Sequence, residues 1–256
     1  MEKLTIVKVG GAVLEDPATL NDFLDHFTAI AEKKILVHGG GRAATQLSNQ
    51  MGIETQMVEG RRITDAATIK VVTMVYGGLI NKTTTAVLQS KGCNAVGLTG
   101  VDMNLISSVK RPIGEIDYGL VGDIEQVNTS AFNLLIQAGF VPVIAPLTHD
   151  KKGQLLNTNA DTIASTIAIS LVGIYEVSLV YCFEKAGVLS DPENDESVIP
   201  DLSLQMYHVY KNTGVIHSGM IPKLDNSFKA LEMGVREVII TNAATLSTTA
   251  GTQLSL

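Results

Sequence analysis

The chain has 256 residues, with 19 Lys and Arg against 26 Asp and Glu, a formal charge of −7. That balance argues against a nucleic-acid binder, whose phosphate contacts call for a basic surface. Hydrophobic residues make up 45% of the chain, which supports a large core and excludes disorder.

Only Cys93 and Cys182 are present, far apart and outside any C-x-x-C pair. This excludes a disulfide scaffold and a cysteine zinc site and fits a reducing compartment. The first residues, MEKLTIVKVGG, lack the apolar core and cleavage site of a signal peptide, and the longest uncharged runs, Val127–His149 and Thr162–Tyr175, are broken by polar residues and are not continuous apolar spans, so a cytoplasmic protein is expected. α/β chains of roughly 250 residues often form one domain, so one unit or two tightly joined lobes both fit.

In chain order, short β-rich runs alternate with periodic helix-length segments: Leu4–Val9, Pro17–Glu32, Ile35–His38 and Arg42–Met51. Asp16-Pro17 is a helix start and Gly52 a helix stop. Thr64-Asp65 opens a longer helix to about Lys91, interrupted at Gly77-Gly78. From Asn94 to Leu156 the runs are shorter and turn-rich, predicting strands and hairpins, with a helix over Thr129–Ala138 and a buried strand over Val141–Ala145. Next come a helix over Asp161–Val172, a strand over Val177–Phe183, an exposed acidic loop over Gly187–Pro200, a helix over Met220–Gly234 and a strand over Val238–Thr241. Gly251–Leu254 reads as an edge strand. The pattern predicts an α/β fold, a mostly parallel central sheet covered by helices on both faces in three layers. If there are two lobes they join near Gly173, about 1–173 and about 174–256.

Two glycine clusters each follow a short apolar strand: Lys8-Val9-Gly10-Gly11, and His38-Gly39-Gly40-Gly41. Glycine lets backbone N–H groups face outward, and ligands of parallel sheets bind beyond the carboxyl ends of the strands, so both clusters read as anion sites. Neither is a G-x-G-x-x-G fingerprint, and GGLINKT lacks the glycine a P-loop carries before its lysine, which removes dinucleotide and P-loop chemistry.

Lys8 closes the first strand and Lys223 stands just inside a helix start, a position that the helix dipole disfavours for a cation. Two lysines at glycine-rich element ends suit phosphoryl transfer, whose transition state is stabilised chiefly by positioned positive charge. Arg61-Arg62 reads either as a carboxylate clamp or as a solvated pair, and Asn157, Asn159 and Asp161 as polar ligands or as a helix cap. His38 is taken as structural rather than as a base, and the other four histidines show no triad or metal spacing.

KVGG, HGGGR, the R-[IV]-T of Arg62-Ile63-Thr64, GLVGDI, NxNAD and GMIPK occur together in this order, and the chain thereby resembles the amino-acid kinase superfamily, in particular its acylglutamate branch. The resemblance implies ATP-dependent phosphorylation of the side-chain carboxylate of an N-acyl-L-glutamate in the second step of arginine biosynthesis. The acyl group, acetyl or succinyl, is left open. Another carboxylate kinase, or a non-catalytic amino-acid-sensing module, is the alternative.

It further implies that Lys8 and Lys223 neutralise the transferring phosphoryl group and that Asp161 holds both lysines. Gly10 and Gly11, with Gly40 and Gly41, would bind phosphoryl oxygens and the reacting carboxylate by their amides. Arg62 and Asn157 would take the substrate's α-carboxylate end. Gly219 and Met220, within Val215–Met220, and the loop after Phe183 would contact the nucleotide. Mg²⁺ would arrive with ATP, with no dedicated metal cage. The N-lobe would hold the acylglutamate and the C-lobe the nucleotide, in a homodimer built on the Asp65–Lys91 helix. The sequence departs from the family at Glu184-Lys185, where an Asp followed by an apolar residue is usual, and at His217-Ser218. No arginine inhibition through an N-terminal helix is expected. Lys110 and Arg111 are candidates for contacting a larger acyl group.

Overall fold

The computed structural model describes residues 1–58, 60–216, 219–246 and 250–256. In chain order the elements are β1 (Lys3–Val9), α1 (Gly11–Glu15), α2 (Pro17–Ala29), β2 (Lys33–His38), α3 (Gly41–Gln50), β3 (Met57–Val58), β4 (Arg61–Arg62), α4 (Ala66–Val72), a π-helical segment (Thr73–Ile80), α5 (Asn81–Ser90), β5 (Ala95–Thr99), β6 (Ile106–Lys110) and β7 (Gly122–Val127). The chain continues through α6 (Thr129–Gln137), β8 (Val141–Ala145), β9 (Leu147–His149), β10 (Leu155–Asn157), α7 (Ala160–Leu171), β11 (Glu176–Phe183), β12 (Asp201–Ser203), α8 (Leu204–Thr213), α9 (Ile221–Glu232), β13 (Glu237–Asn242) and β14 (Thr252–Ser255).

The chain forms two compact units, one of Met1–Ile35 with Ala164–Leu256 and one of Leu36–Ile163. The sequence places the join near Gly173 instead. The cause of the difference is long-range: β1 pairs in parallel with β11 along its whole length, Lys3 opposite Glu176 through Val9 opposite Cys182, which ties the first strand to the last third of the chain.

The first unit holds the strand order β12-β14-β13-β11-β1, parallel except for the β13–β14 pair. Leu4, Ile6, Val7 and Val9 of β1 are buried, the near-continuous burial of a parallel strand covered on both faces. In α2, Asp16 caps the start by accepting from the Thr19 amide, Pro17 opens the first turn, and Leu20, Phe23, Leu24 and Phe27 make one buried stripe. The stretch expected as an edge strand near the C-terminus is β14, and it is interior: β12 flanks it in parallel and β13 antiparallel. The expected acidic loop is exposed over residues 191–196. Its ends are fastened, since Leu189 pairs with Val198 and both Val188 and Ile199 are buried.

The second unit holds the parallel strands β2-β8-β5, the order β10-β9-β6-β7, and the β3–β4 hairpin. The long helix begins as expected, with Asp65 accepting from the amides of Ala67 and Thr68. Its interruption at Gly77-Gly78 is eight residues of π-helix, not a break. Cys93 and Cys182 are buried free thiols. The class is the expected one, a mixed and mostly parallel α/β fold with flanking helices, and no described helix is long and apolar enough to cross a membrane.

Candidate active site

In the first unit, the parallel ladder of β1 and β11 brings Lys8 level with Tyr181, and the Gly10 amide continues it by donating to the Cys182 carbonyl at 3.0 Å. Lys8 is only 6% exposed. Its Nζ lies 5.0 Å from the centroid of the Phe183 ring, and Lys223 Nζ, from the first turn of α9, lies 3.7 Å from the same centroid. The ring is held by stacking on Tyr181, centroids 5.9 Å apart. Two ammonium groups on one aromatic ring are each attracted by the ring quadrupole and repelled by one another, so negative charge placed near both is stabilised. Between the two strand ends, burial pushes the Cys182 thiol up to about 12 although Lys8 opposes the shift, so it stays a protonated, inert side chain.

Gly219 is exposed and Met220 half-buried at the start of α9. The rest of the expected Val215–Met220 contact includes residues 217 and 218, which lie outside the described residues. On the segment after Phe183, Lys185 forms an exposed ion pair with Asp195 at 2.5 Å.

In the second unit, Arg62 on β4 is 6% exposed and reaches back to the glycine turn. Its Nη2 donates to the Gly41 carbonyl at 2.7 Å and to Thr45 Oγ1 at 2.8 Å, and its Nη1 donates to Thr55 Oγ1 at 3.2 Å. Its Nε is buried without an acceptor among the described residues. Thr64 Oγ1 donates to the Arg62 carbonyl at 3.0 Å and accepts from Asn157 Nδ2 at 3.0 Å, which draws Arg62, Thr64 and Asn157 into one hydrogen-bonded line. Gly40 sits at φ +152°, and Tyr76 and Ile80 from the π-helical segment close over its α-carbon. Burial raises the Tyr76 phenol pKa while the Arg62 charge beside it pulls the other way. Asn159 caps α7 by accepting from the Asp161 and Thr162 amides, and Asp161 sits in the first turn, 8% exposed.

His38 is fully buried at the end of β2. Asn81 Nδ2 donates to the Val143 carbonyl at 2.9 Å and lies 3.1 Å from His38 Nε2, so Nε2 accepts and Nδ1–H donates to the Gly39 carbonyl at 2.8 Å. Burial lowers its pKa to about 4. The ring is a neutral strut for the HGGG turn, the structural role expected of it. Arg111 is paired with Asp123 at 2.5 Å and lies over the Tyr118 ring, while Lys110 is exposed.

Thus Lys8, Gly10 and Lys223 meet at one strand end in the first unit, and Gly40, Gly41, Arg62 and Asn157 gather in the second. Phe183, Thr64 and Tyr76 join these groups without having been expected there. Phe183 carries only a positional signal in the sequence, as the last residue of the predicted strand Val177–Phe183. Tyr76 carries none, because an apolar helical stripe reads as core.

The described residues contain no group of three or more His, Cys, Asp or Glu able to hold a metal ion. The donors at the strand end are lysine ammonium groups and backbone amides, which suit phosphate oxygens rather than a bare cation. Mg²⁺ would fit here only as a partner of bound phosphates.

The model of the amino acid kinase family matches residues 3–242. The chain is 58% identical to the acetylglutamate kinase of Bacteroides fragilis over 253 residues, covering 99% of this chain and 97% of that protein. It is also 58% identical to the acetylglutamate kinase of Phocaeicola vulgatus, covering 98% of each. Among solved structures, N-acetylglutamate synthase from Neisseria gonorrhoeae superposes with a TM-score of 0.83 at 24% identity, covering all of this chain and 59% of that one, which is a likeness of fold. By the extent of these matches the chain belongs to the amino acid kinase family, among its acetylglutamate kinases.

Proposed function

We propose that the chain transfers the γ-phosphoryl group of ATP to the side-chain carboxylate of N-acetyl-L-glutamate, releasing ADP and an acyl phosphate. A carboxylate oxygen attacks the phosphorus in line as the bond to the β-phosphate oxygen breaks. The observation that carries this reading is the convergence of Lys8 and Lys223 on Phe183 in a chain 58% identical to an acetylglutamate kinase.

The roles derive from charge. Lys8 and Lys223 offset the negative charge that spreads over the equatorial oxygens, with Asp161 as the counter-charge that orients them. The amides of Gly10 and Gly11 take phosphoryl oxygens, and those of Gly40 and Gly41 the reacting carboxylate. The Arg62–Thr64–Asn157 line takes the α-carboxylate end, the buried Arg62 Nε being a donor whose acceptor the substrate supplies. The second unit carries the acylglutamate and the first the nucleotide, with Gly219 and Met220 beside it. Mg²⁺ arriving with ATP would be held by the nucleotide's phosphates and water rather than by side chains of this chain, and would supply charge neutralisation.

Exposed Met74 and Leu79 on the π-helical segment support a homodimer on the Asp65–Lys91 helix. The place in metabolism is the second step of arginine biosynthesis, in the cytoplasm, where two buried free thiols stay reduced.

The test is ADP release with hydroxylamine trapping of the acyl phosphate, using Mg-ATP and a panel of N-acetyl-L-glutamate, N-succinyl-L-glutamate, glutamate and aspartate. Hydroxamate from N-acetyl-L-glutamate is expected. Turnover with only the succinyl compound would change the acyl group, and no hydroxamate from folded protein would favour a sensing module.

A further inference from the structure

Lys223 needs a fixed place, and among the described residues no side chain caps the turn that carries it. Met220 is the N-cap of α9 and makes no side-chain cap hydrogen bond. An uncapped first turn frays more readily than a capped one.

A second helix grips that turn instead. Tyr207 of α8 is 1% exposed and its ring stacks on Phe228 of α9, centroids 5.1 Å apart. Its hydroxyl lies 2.7 Å from Asp225 Oδ1 and 3.3 Å from the Ile221 carbonyl. Lys211, one turn further along α8, donates to both Asp225 oxygens at 3.0 and 3.1 Å. Ser203 starts α8 by accepting from the Met206 amide, so the helix that provides this grip is itself capped.

The grip has a direction. Ile221, Asp225 and Phe228 stand at i, i+4 and i+7 and share one face of α9. Lys223 is two residues from both Ile221 and Asp225, about 200° round the helix from each, and so faces away from α8. There its ammonium meets the Phe183 ring at 3.7 Å. Burial, and then acceptance by Asp225, raise the Tyr207 phenol pKa, so the hydroxyl remains a donor at neutral pH.

We infer that Tyr207 and Asp225 are positioning residues that hold the first turn of α9 so that Lys223 is aimed at the strand end of β1 and β11. The inference rests on Lys223 being a charge-neutralising group of the reaction. A displacement near 1 Å can cost as much as ~100-fold in rate, so losing part of the grip should be visible in turnover.

The experiment is a double-mutant cycle of Tyr207→Phe and Lys223→Ala, assayed with Mg-ATP and N-acetyl-L-glutamate. Tyr207→Phe keeps the ring stack and removes only the hydroxyl. It should lower kcat about tenfold and leave the KM for N-acetyl-L-glutamate within about twofold, since the hydroxyl is engaged by Asp225 and the Ile221 carbonyl. In the Lys223→Ala background it should lower kcat no further. An equal loss in both backgrounds, or an unchanged kcat in the wild-type background, overturns the inference. Lys223→Ala with wild-type kcat would instead overturn the role of Lys223 itself, so the two failures are distinct. Should Tyr207→Phe prove unfolded by thermal melt, Asp225→Asn is read in the same cycle, and a loss that persists in the Lys223→Ala background again overturns it.

Discussion

Replacing Gly40 by alanine tests whether the HGGG turn needs glycine for space and backbone together. A β-carbon at Gly40 would lie 2.5 Å from Ile80 Cδ1 and 2.9 and 3.0 Å from two ring carbons of Tyr76, at φ +152°. Forcing an extra carbon into a packed site costs about 1–3 kcal/mol. Holding a residue with a side chain in a glycine-favoured backbone region costs about another 1–3 kcal/mol. Together they predict a loss of about 4 kcal/mol, or about 10 °C in Tm for a chain of this size. Urea unfolding followed by circular dichroism measures it directly. Ile80→Val removes the nearest clashing atom, so Gly40→Ala should cost less in that background than in the wild type, with the backbone share remaining. A midpoint within error of the wild type for Gly40→Ala would refute the account, and equal costs in the two backgrounds would refute the steric half of it.

Lys8→Ala and Lys223→Ala should each lower kcat by about 10²–10³, more than they raise either KM, because positioned charge matters most in the transition state; steady-state kinetics with both substrates decides. Arg62→Ala should raise the KM for N-acetyl-L-glutamate by about tenfold or more, the scale of a lost charged hydrogen bond, and an unmoved KM would place the α-carboxylate elsewhere. His38 gives a pH signature. Its folded pKa of about 4 lies below the unfolded 6.5, so the unfolded chain binds the extra proton, and stability is full above pH 6.5 and falls as pH drops toward 4. Between about pH 7 and pH 5 the loss from this group is about 2 kcal/mol. His38→Asn should remove that share of the slope in urea unfolding.

Local signals are legible in the sequence where local chemistry sets the outcome. Asp16-Pro17 and Asp65 announce helix starts because a cap needs only a side chain and the next three amides. The glycine runs after β1 and β2 mark strand ends, and Lys8, Arg62, Asn157 and Lys223 stand out by residue type within a motif. Pairing is not legible. β14 reads as an edge because nothing in TQLS tells that β12 lies beside it, about fifty residues earlier in the chain. The join between units is displaced for the same reason, since the β1–β11 ladder spans most of the chain. α8 escapes a sequence reading because LQMYHVYKNT mixes aromatics and polar residues without a clear stripe, and Tyr207 is its buried member. Phe183 is visible as the end of an apolar strand, but that two lysines share its ring depends on how α9 docks.

The π-helical segment sets the rotational phase of α5. Each i→i+5 bond encloses one residue more than the i→i+4 bond of an α-helix, so eight such residues turn α5 about the common axis relative to α4. Because of that offset one stretch of chain can put Tyr76 and Ile80 over Gly40 and, one residue later, Asn81 under His38. A regular α-helix through the same endpoints would spread those contacts over a different set of positions. Gly77 and Gly78, without side chains to crowd the wider turn, act as the joint of a spacer whose length in residues, more than its composition, keeps the glycine turn and its histidine strut in register.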